Sequence, residues 1–142
     1  MSRGPQTSSS PIPDPDERSA PYWEALGRGE LVLQRCSVCD ALNHPATATC
    51  RVCDSGQLGW TPVLPSGRLF SWTVEGRAII PGFTPPYVIA QVTPDDCEDG
   101  TVRLICTLLV DDPSVLCLDM PVRLLTAAAP GSTVTLAHYT AV

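Results

Sequence analysis

Downstream of Gly67 the chain runs through five short segments rich in aliphatic, β-branched or aromatic residues, many of them at alternate positions. Polar turns containing proline, glycine and aspartate separate these segments, a pattern typical of strands joined by tight connections. Five short strands with polar turns favour a small closed or nearly closed β-barrel. The predicted strands cover residues 67–76, 87–93, 101–110, 120–127 and 132–140.

The start of the chain has a different pattern. Residues 1–19 are rich in serine and proline and hold few apolar residues, which predicts a disordered tail. Ser19 suits the N-cap of a short helix with Pro21 in its first turn, and Gly27 or Gly29 suits its end.

Tyr22, Trp23 and Leu26 share one face of this predicted helix. Two interpretations stay open for the aromatic pair. The helix packs on the rest of the chain, or it also meets a partner, since two large aromatics on so short a helix are many. Residues 31–35 form a further predicted strand that leads into a cysteine-rich segment.

We therefore expect three regions: a tail over residues 1–19, a helix with a cysteine-rich module over residues 20–62, and a barrel domain over residues 63–142. The 15 prolines and 10 glycines among 142 residues agree with a mainly β chain of many turns. No apolar run approaches the ~18–20 residues of a membrane span, and no signal peptide opens the chain, so a cytoplasmic protein with no membrane contact is expected.

Charge narrows the possible partners. All nine basic residues are arginines, and the formal net charge is −6. The excess of acid lies in residues 95–142, whereas residues 24–94 are balanced. A nucleic-acid-binding module needs a basic footprint, and none is present, so no nucleic-acid partner is expected.

Four of the seven cysteines form the most specific motif of the chain, C-x2-C-x10-C-x2-C. Two residues between cysteines allow one tight turn to direct both sulfurs to a common point, and two such turns complete a tetrahedron. Four thiolates with no open position predict one structural Zn²⁺. The predicted ligands are Cys36, Cys39, Cys50 and Cys53.

The remaining candidates for chemistry are weaker. His44 is interpreted as a packing residue rather than a replacement for one sulfur, because the four sulfurs already close the site. Cys106 lies in an apolar strand and is best explained as a small core residue. Glycines commonly follow such cysteine pairs, but Asp40 and Asp54 stand there, and aspartate tolerates the left-handed backbone better than most residues. No catalytic constellation is found in the sequence, so no catalytic residue is assigned.

The segment from residue 71 to residue 92 combines apolar residues with three prolines. Proline pre-sets the backbone, so such a loop loses little entropy when a partner docks. For Trp72 and Tyr87 a core role and a binding role are equally favoured. For Ile79, Ile80 and Phe83 we favour binding, because consecutive apolar residues in a proline loop cannot all point inward.

At this level the chain resembles the "DUF thirty-five" family, a rubredoxin-like zinc ribbon followed by a five-stranded OB-fold. The stretches PYWEALGRGELVLQRCSVCD, CRVCDSGQLGWTPVLPSGRLFSWTV, PGFTPPYVIAQV and MPVRLL carry the resemblance, in that order, over about residues 20–126. The resemblance implies a small subunit without catalytic residues, which supports thiolase-superfamily enzymes acting on acyl-CoA thioesters. Condensing enzymes, aldolases of steroid side-chain degradation and acyltransferases of polyketide pathways are such partners.

The family pattern also implies roles for individual residues. The four cysteines match the metal ligands, and the expected contacts with the partner or its substrate channel are Tyr22, Trp23, Trp72, Ile79, Ile80, Phe83 and Tyr87. If CoA or acyl-CoA is a ligand, the candidate phosphate-binding cations are Arg35, Arg51, Arg68 and Arg77. The segment before Cys50 departs from the family pattern, which weakens the case for direct CoA binding.

Three functions are therefore weighed. The preferred one is an accessory subunit that is not catalytic alone. The alternatives are a nucleic-acid-binding module, since ribbons and OB-folds both serve that purpose, and a free-standing acyl-CoA-binding protein or enzyme that uses Cys106 or a histidine.

Overall fold

The computed structural model describes residues 10–142, in which one helix and a three-stranded sheet precede a five-stranded barrel. A short 3₁₀ turn, Pro113–Val115, lies in the connection between two strands of the barrel. The remaining elements, in chain order, are α1 Ala20–Gly27, β1 Leu31–Cys36, β2 Leu42–Asn43, β3 Leu58–Val63, β4 Ser66–Glu75, β5 Tyr87–Pro94, β6 Leu104–Leu109, β7 Pro121–Ala128 and β8 Thr135–Ala141.

The barrel closes in the strand order β4–β5–β6–β8–β7, with β7 paired back to β4. Only the β6–β8 pair is parallel; the other pairs are antiparallel. This five-stranded closed arrangement confirms the predicted OB-fold barrel. The ribbon sheet has the order β2–β1–β3, with β1 in the centre. The mainly β fold class with a short N-terminal helix is confirmed.

The strand boundaries differ from the predicted ones for local reasons. Strand β6 begins at Leu104 and not at residue 101, because Thr101 is held in a turn: its amide and hydroxyl both donate to Asp99 Oδ1. A bulge between Leu69 and Ser71 interrupts β4 and leaves Phe70 exposed. The sequence analysis did not predict β2 or β3. Strand β2 is only two residues long, and β3 contains a glycine and a proline.

One core runs through both modules. Leu31 and Leu33 of β1 are buried in the same cluster as Leu69 of β4 and Val92 of β5. Helix α1 packs on β1, β7 and β8 and buries Leu26 completely. The expected division of the chain at residue 62 stays a prediction about folding units, since packing alone does not separate the two modules.

The helix N-terminus differs in detail from the prediction. Ser19 does occupy the N-cap, but its side chain makes no capping hydrogen bond. Instead the Ser19 amide donates to Asp16 Oδ1 at 2.8 Å, and the Asp16 amide donates to the Ser19 hydroxyl at 3.2 Å. At the other end Gly29 adopts a φ of 76°, as a glycine after a helix commonly does.

The first half of the expected disordered tail, residues 1–9, lies outside the described residues. Residues 10–19 are described, and the Ser10 hydroxyl donates to the Gly82 carbonyl at 2.9 Å. Within the described range, the one helix is too short to cross a membrane.

Candidate functional site

Two matching turns carry the four cysteines. In the first, the Asp40 amide donates to the Cys36 carbonyl at 2.9 Å, and Asp40 has a φ of 65°. In the second, the Asp54 amide donates to the Cys50 carbonyl at 2.9 Å, and Asp54 has a φ of 63°. The aspartates therefore adopt the left-handed conformation that glycine would adopt at this position, as the sequence indicated.

The four sulfurs converge on one point. Every Sγ lies within 4.8 Å of the others, and the Cys36–Cys53 and Cys39–Cys50 pairs are 3.6 Å apart. Zinc–sulfur bonds of ~2.3 Å in a tetrahedron require sulfur separations of about 3.8 Å. The observed spacing fits four ligands of a single metal ion, so the predicted ligand set is brought together in full.

Hydrogen bonds stabilise the thiolate form of two of the four cysteines, Cys36 and Cys50. The Val38 amide donates to Cys36 Sγ and the Val52 amide to Cys50 Sγ, each at 3.4 Å. The Asn43 side-chain amide reaches Cys50 Sγ at 3.5 Å. This Asn43 contact and the surrounding backbone amides lower the pKa of Cys50 to about 6, and backbone amides also lower the pKa of Cys36.

Asn43 is a site residue that the sequence analysis missed. Its side chain is buried, its Nδ2 meets Cys50 Sγ, and its Oδ1 accepts from the Arg51 amide at 2.9 Å. One side chain thus ties β2 to the second cysteine turn. The clue in the sequence was a carboxamide seven residues before the third cysteine, in a stretch too short to be recognised as a strand.

His44 lies near the metal centre but faces elsewhere. Its ring packs on Tyr22, with the ring centroids 5.1 Å apart. Burial, with the Arg51 charge as a smaller contribution, lowers the pKa of His44 to about 4, so the imidazole is neutral at pH 7. This geometry agrees with the packing role preferred from the sequence.

The expected partner residues form two separate clusters. Tyr22 and Trp23 meet edge to face on α1, with ring centroids 5.0 Å apart, and both are partly buried against the core. Phe83 and Tyr87 meet at the far end of the loop between β4 and β5, also at 5.0 Å. Tyr87 is buried, which favours the core role that the sequence left open for it.

The β4–β5 loop, residues 76–86, presents its apolar residues unevenly. Ile79 is 64% exposed, whereas Ile80 and Phe83 are half-buried. The Phe83 amide donates to the Ile80 carbonyl, which folds the loop into a turn. Trp72 precedes this loop on β4, where it is half-buried against the barrel core.

The four candidate arginines do not gather at one place. Arg35 donates to the Asp40 carbonyl and lies in a groove of about 310 Å³ beside the acidic turn at residues 95–99. Arg68 lies 3.9 Å from Asp95 and donates to the Asp119 carbonyl.

Arg51 donates to the His44 carbonyl at 2.7 Å. Arg77 lies in the β4–β5 loop, and within the described part of the chain its guanidinium has no hydrogen bond or ion pair. An acid-lined groove is a poor place for phosphate, so the structure favours Arg77 over Arg35 for that role.

Cys106 is placed as expected for a core residue. It is buried on β6, its thiol points to the Ala90 carbonyl at 3.9 Å, and burial raises its pKa to about 12. Such a thiol stays protonated at pH 7 and is a weak nucleophile. Of the other two cysteines, Cys97 is buried and Cys117 is exposed.

Comparisons with known proteins agree with this geometry. Residues 23–59 match the model of the ChsH2 rubredoxin-like zinc ribbon domain. The chain is 32% identical over 114 residues to a probable enoyl-CoA hydratase alpha subunit of Thermomonospora curvata. The match covers 80% of this chain and 34% of that protein. This chain is also 31% identical over 130 residues to the 3-oxo-4,17-pregnadiene-20-carboxyl-CoA hydratase alpha subunit of Mycobacterium tuberculosis. That match covers 84% of this chain and 40% of the hydratase subunit.

The chain thus spans only about a third to two fifths of these curated relatives. Among solved structures, a chain of the Ltp2-ChsH2(DUF35) aldolase superposes with a TM-score of 0.78 at 28% identity, covering 92% of this chain and 98% of that one. A DUF35 protein of Sulfolobus solfataricus shares the fold, with a TM-score of 0.60 at 13% identity and coverage of 87% and 84%. Because the zinc ribbon matches the ChsH2 model and the whole fold matches two DUF35 structures, the resemblance of this chain to the DUF35 family is confirmed.

Proposed function

We propose that this chain is a non-catalytic accessory subunit, which binds and supports a thiolase-superfamily enzyme acting on acyl-CoA thioesters. The observation that carries the proposal is the fold match to the ChsH2(DUF35) chain of an aldolase, which extends over 98% of that chain. The acyl-CoA names of both hydratase relatives support the substrate class.

The metal of the ribbon is proposed to be a single Zn²⁺ with a structural role. Cys36, Cys39, Cys50 and Cys53 supply four soft donors at tetrahedral spacing, which is the donor set that zinc prefers in structural sites. A bound ion would hold the two cysteine turns together. These turns carry the exposed Val38 and Val52 at their tips, so the ion fixes a small apolar surface as well as the fold.

The partner is proposed to dock on the β4–β5 loop. Ile79 is exposed there, and the loop is held at both ends, by β4 before it and by the Phe83–Tyr87 ring contact after it. An apolar side chain on a pre-ordered loop can bury area with little loss of entropy. If CoA also contacts this chain, Arg77 is its first candidate, because its guanidinium is unengaged in the described part of the chain.

The test is assembly with a thiolase-superfamily protein from the same organism. Co-expression should give a stable hetero-oligomer by size-exclusion chromatography with light scattering. Ile79→Asp should weaken the complex at least tenfold by isothermal titration calorimetry, since it would bury an unpaired charge. Val115→Asp, at a residue of similar exposure in the 3₁₀ turn, is the control and should bind normally.

Other outcomes would contradict the proposal. Thioester turnover by the isolated chain, abolished by Cys106→Ala, would support a free-standing enzyme. Salt-sensitive binding to single-stranded nucleic acid would support the nucleic-acid alternative.

Arg77→Ala is expected to raise the KM of the complex for acyl-CoA without changing kcat, if the guanidinium binds a phosphate.

A further inference from the structure

A second concave site lies between α1 and the parallel β6–β8 pair. It is a cleft of about 200 Å³. Its lining includes Tyr22 and Trp23 of α1, Ile105 and Cys106 of β6, and Leu136 and His138 of β8. None of the assigned metal ligands belongs to it, and the proposed docking loop does not line it. Tyr22 and Trp23 are also among the residues that the family resemblance implies as partner contacts.

His138 is the unusual residue of this cleft. The residue is only 4% exposed, and its Nδ1 is buried without a hydrogen-bond partner. Within residues 10–142 the Nε2 atom has no hydrogen-bond partner either. Nδ1 is fully enclosed, whereas Nε2 is not, so Nε2 is the nitrogen that an occupant of the cleft can reach. A polar group without a partner inside a folded protein is costly and uncommon, and a ligand hydroxyl at Nε2 would supply a partner to the imidazole.

The lining restricts the charge of that occupant. Among the described residues, no acidic side chain, lysine or arginine lines the cleft. Burial lowers the pKa of His138, which keeps the imidazole neutral at pH 7. A neutral imidazole can accept a hydrogen bond at one nitrogen and donate at the other. A neutral hydroxyl group satisfies either need, whereas a charged ligand would lose its hydration without a counter-ion.

The size and walls restrict its shape. A cavity of ~150 Å³ holds one benzene ring, whereas drug-sized ligands need ~300–1,000 Å³. Two aromatic rings stand on the helix side, and Ile105, which is 71% exposed, forms an apolar rim. Aromatic and branched walls suit a flat apolar ring.

We propose that the cleft between α1 and β6–β8 binds a neutral single-ring hydroxyl compound of the phenol class, whose hydroxyl forms a hydrogen bond with the His138 imidazole. The ring lies between the aromatic pair of α1 and the aliphatic side chains of β6 and β8. The site does not rest on the proposed accessory function, although it shares Tyr22 and Trp23 with the expected partner contacts.

The test uses p-cresol as the probe and toluene as its counterpart without a hydroxyl, with binding followed by two-dimensional NMR of the zinc-loaded chain. Binding of p-cresol should be roughly tenfold tighter than that of toluene, the effect of one hydrogen bond. The imidazole nitrogen resonances of His138 should shift with p-cresol and not with toluene. Equal affinities, or no binding up to the solubility limit, would overturn the proposal.

Variants separate the hydrogen bond from the shape of the cleft. His138→Leu should weaken p-cresol about tenfold and leave toluene unchanged. Ala137→Leu, which adds bulk to the lining of the cleft on β8, should weaken both probes at least tenfold, and it keeps the test usable if His138→Leu does not fold. Val115→Ala, outside the lining, is the control. Unchanged p-cresol binding by either folded cleft variant would refute the site.

A phenol group has two natural sources, a free compound or a tyrosine side chain of another protein. N-acetyltyrosinamide distinguishes them, because it carries the flanking peptide groups of a tyrosine. Weaker binding than p-cresol indicates a site for free phenols, and equal or tighter binding indicates a site for a peptide tyrosine.

Discussion

Asn43 shows how much one buried side chain contributes to the metal centre. Its amide contacts Cys50 Sγ and its oxygen accepts from the Arg51 amide, so it orients a ligand and the turn that carries it. Residues that hydrogen-bond to ligands typically change metal affinity 10–100-fold when they are lost.

We therefore predict that Asn43→Ala lowers zinc affinity by roughly 10–100-fold at pH 7, as measured by competition with a chelator of known affinity. Thr49→Ala, beside the same cysteine but with an exposed side chain, should have little effect. Equal affinities in the wild type and in Asn43→Ala would contradict a role for this amide.

His44 makes stability depend on pH. The pKa of His44 is about 4 in the folded chain and 6.5 for a free histidine, so the unfolded chain binds the proton first as pH falls. The contribution of neutral His44 to the free energy of unfolding is therefore fully present above pH 6.5, and it is lost as the pH falls towards 4.

We predict that wild type loses about 1 kcal/mol more stability than His44→Gln between pH 6.5 and 5.5, since glutamine does not titrate. Urea unfolding at both pH values, with zinc in excess, measures the difference. Parallel pH profiles would show that His44 titrates normally in the folded chain.

At the residue scale, the sequence predicted what local chemistry determines. The cysteine spacing implied the ligand set, and the aspartates after Cys39 and Cys53 implied left-handed turns, because both depend on neighbouring residues only. The roles of Asn43 and His138 depend on groups brought close by strand pairing, which the spacing of residues does not reveal.

Among the strands, β4 shows how one position can control barrel closure. Gly67 pairs with Pro94 of β5 and with Val122 of β7. A Cβ at this position would lie 2.6 Å from Val92 Cγ1 and 2.7 Å from the Thr93 carbonyl oxygen. The second contact is to backbone within the β5 ladder, so it cannot be relieved by a side-chain rotation.

We predict that Gly67→Ala lowers the free energy of unfolding by about 1–3 kcal/mol, the range of overpacked cores. Gly59→Ala in β3 is the matched control, because a Cβ there meets nothing within 4 Å. It should change stability by less than about 0.5 kcal/mol. Urea midpoints of the two zinc-loaded variants decide the comparison, and similar midpoints would contradict the predicted clash.

At the element scale, strands with continuous apolar patterns were predicted within a few residues, whereas β2 and β3 were missed. Strand β3 contains Gly59 and Pro62, both poor strand formers, and exists because β1 pairs with it over six residues. Tertiary pairing therefore overrides local propensity in the ribbon.

For the whole molecule, the sequence predicted a ribbon and a barrel but not how they join. The parallel β6–β8 pair and the docking of α1 on β8 involve segments about thirty and more than one hundred residues apart, and no short motif specifies them. These long-range contacts also create the cleft beside His138.

The shared core limits how much of the chain should unfold when the metal is removed, because Leu31 and Leu33 of the ribbon belong to that core and do not depend on the ion.

Chelation is therefore expected to unfold less of the ribbon than residues 31–60, the range that the cysteine motif alone suggests. We predict that removing the metal disorders the two cysteine turns, while β1 and the barrel stay folded at a lower Tm because the binding energy is lost. Two-dimensional NMR should show lost dispersion for residues 36–57 and retained amide protection for β6. Cys39→Ser should reproduce this state and Cys117→Ser, at an exposed cysteine outside the ligand set, should not. A chain that unfolds entirely on chelation would show that the ion supports the barrel too, and an unchanged spectrum and Tm would exclude a structural metal.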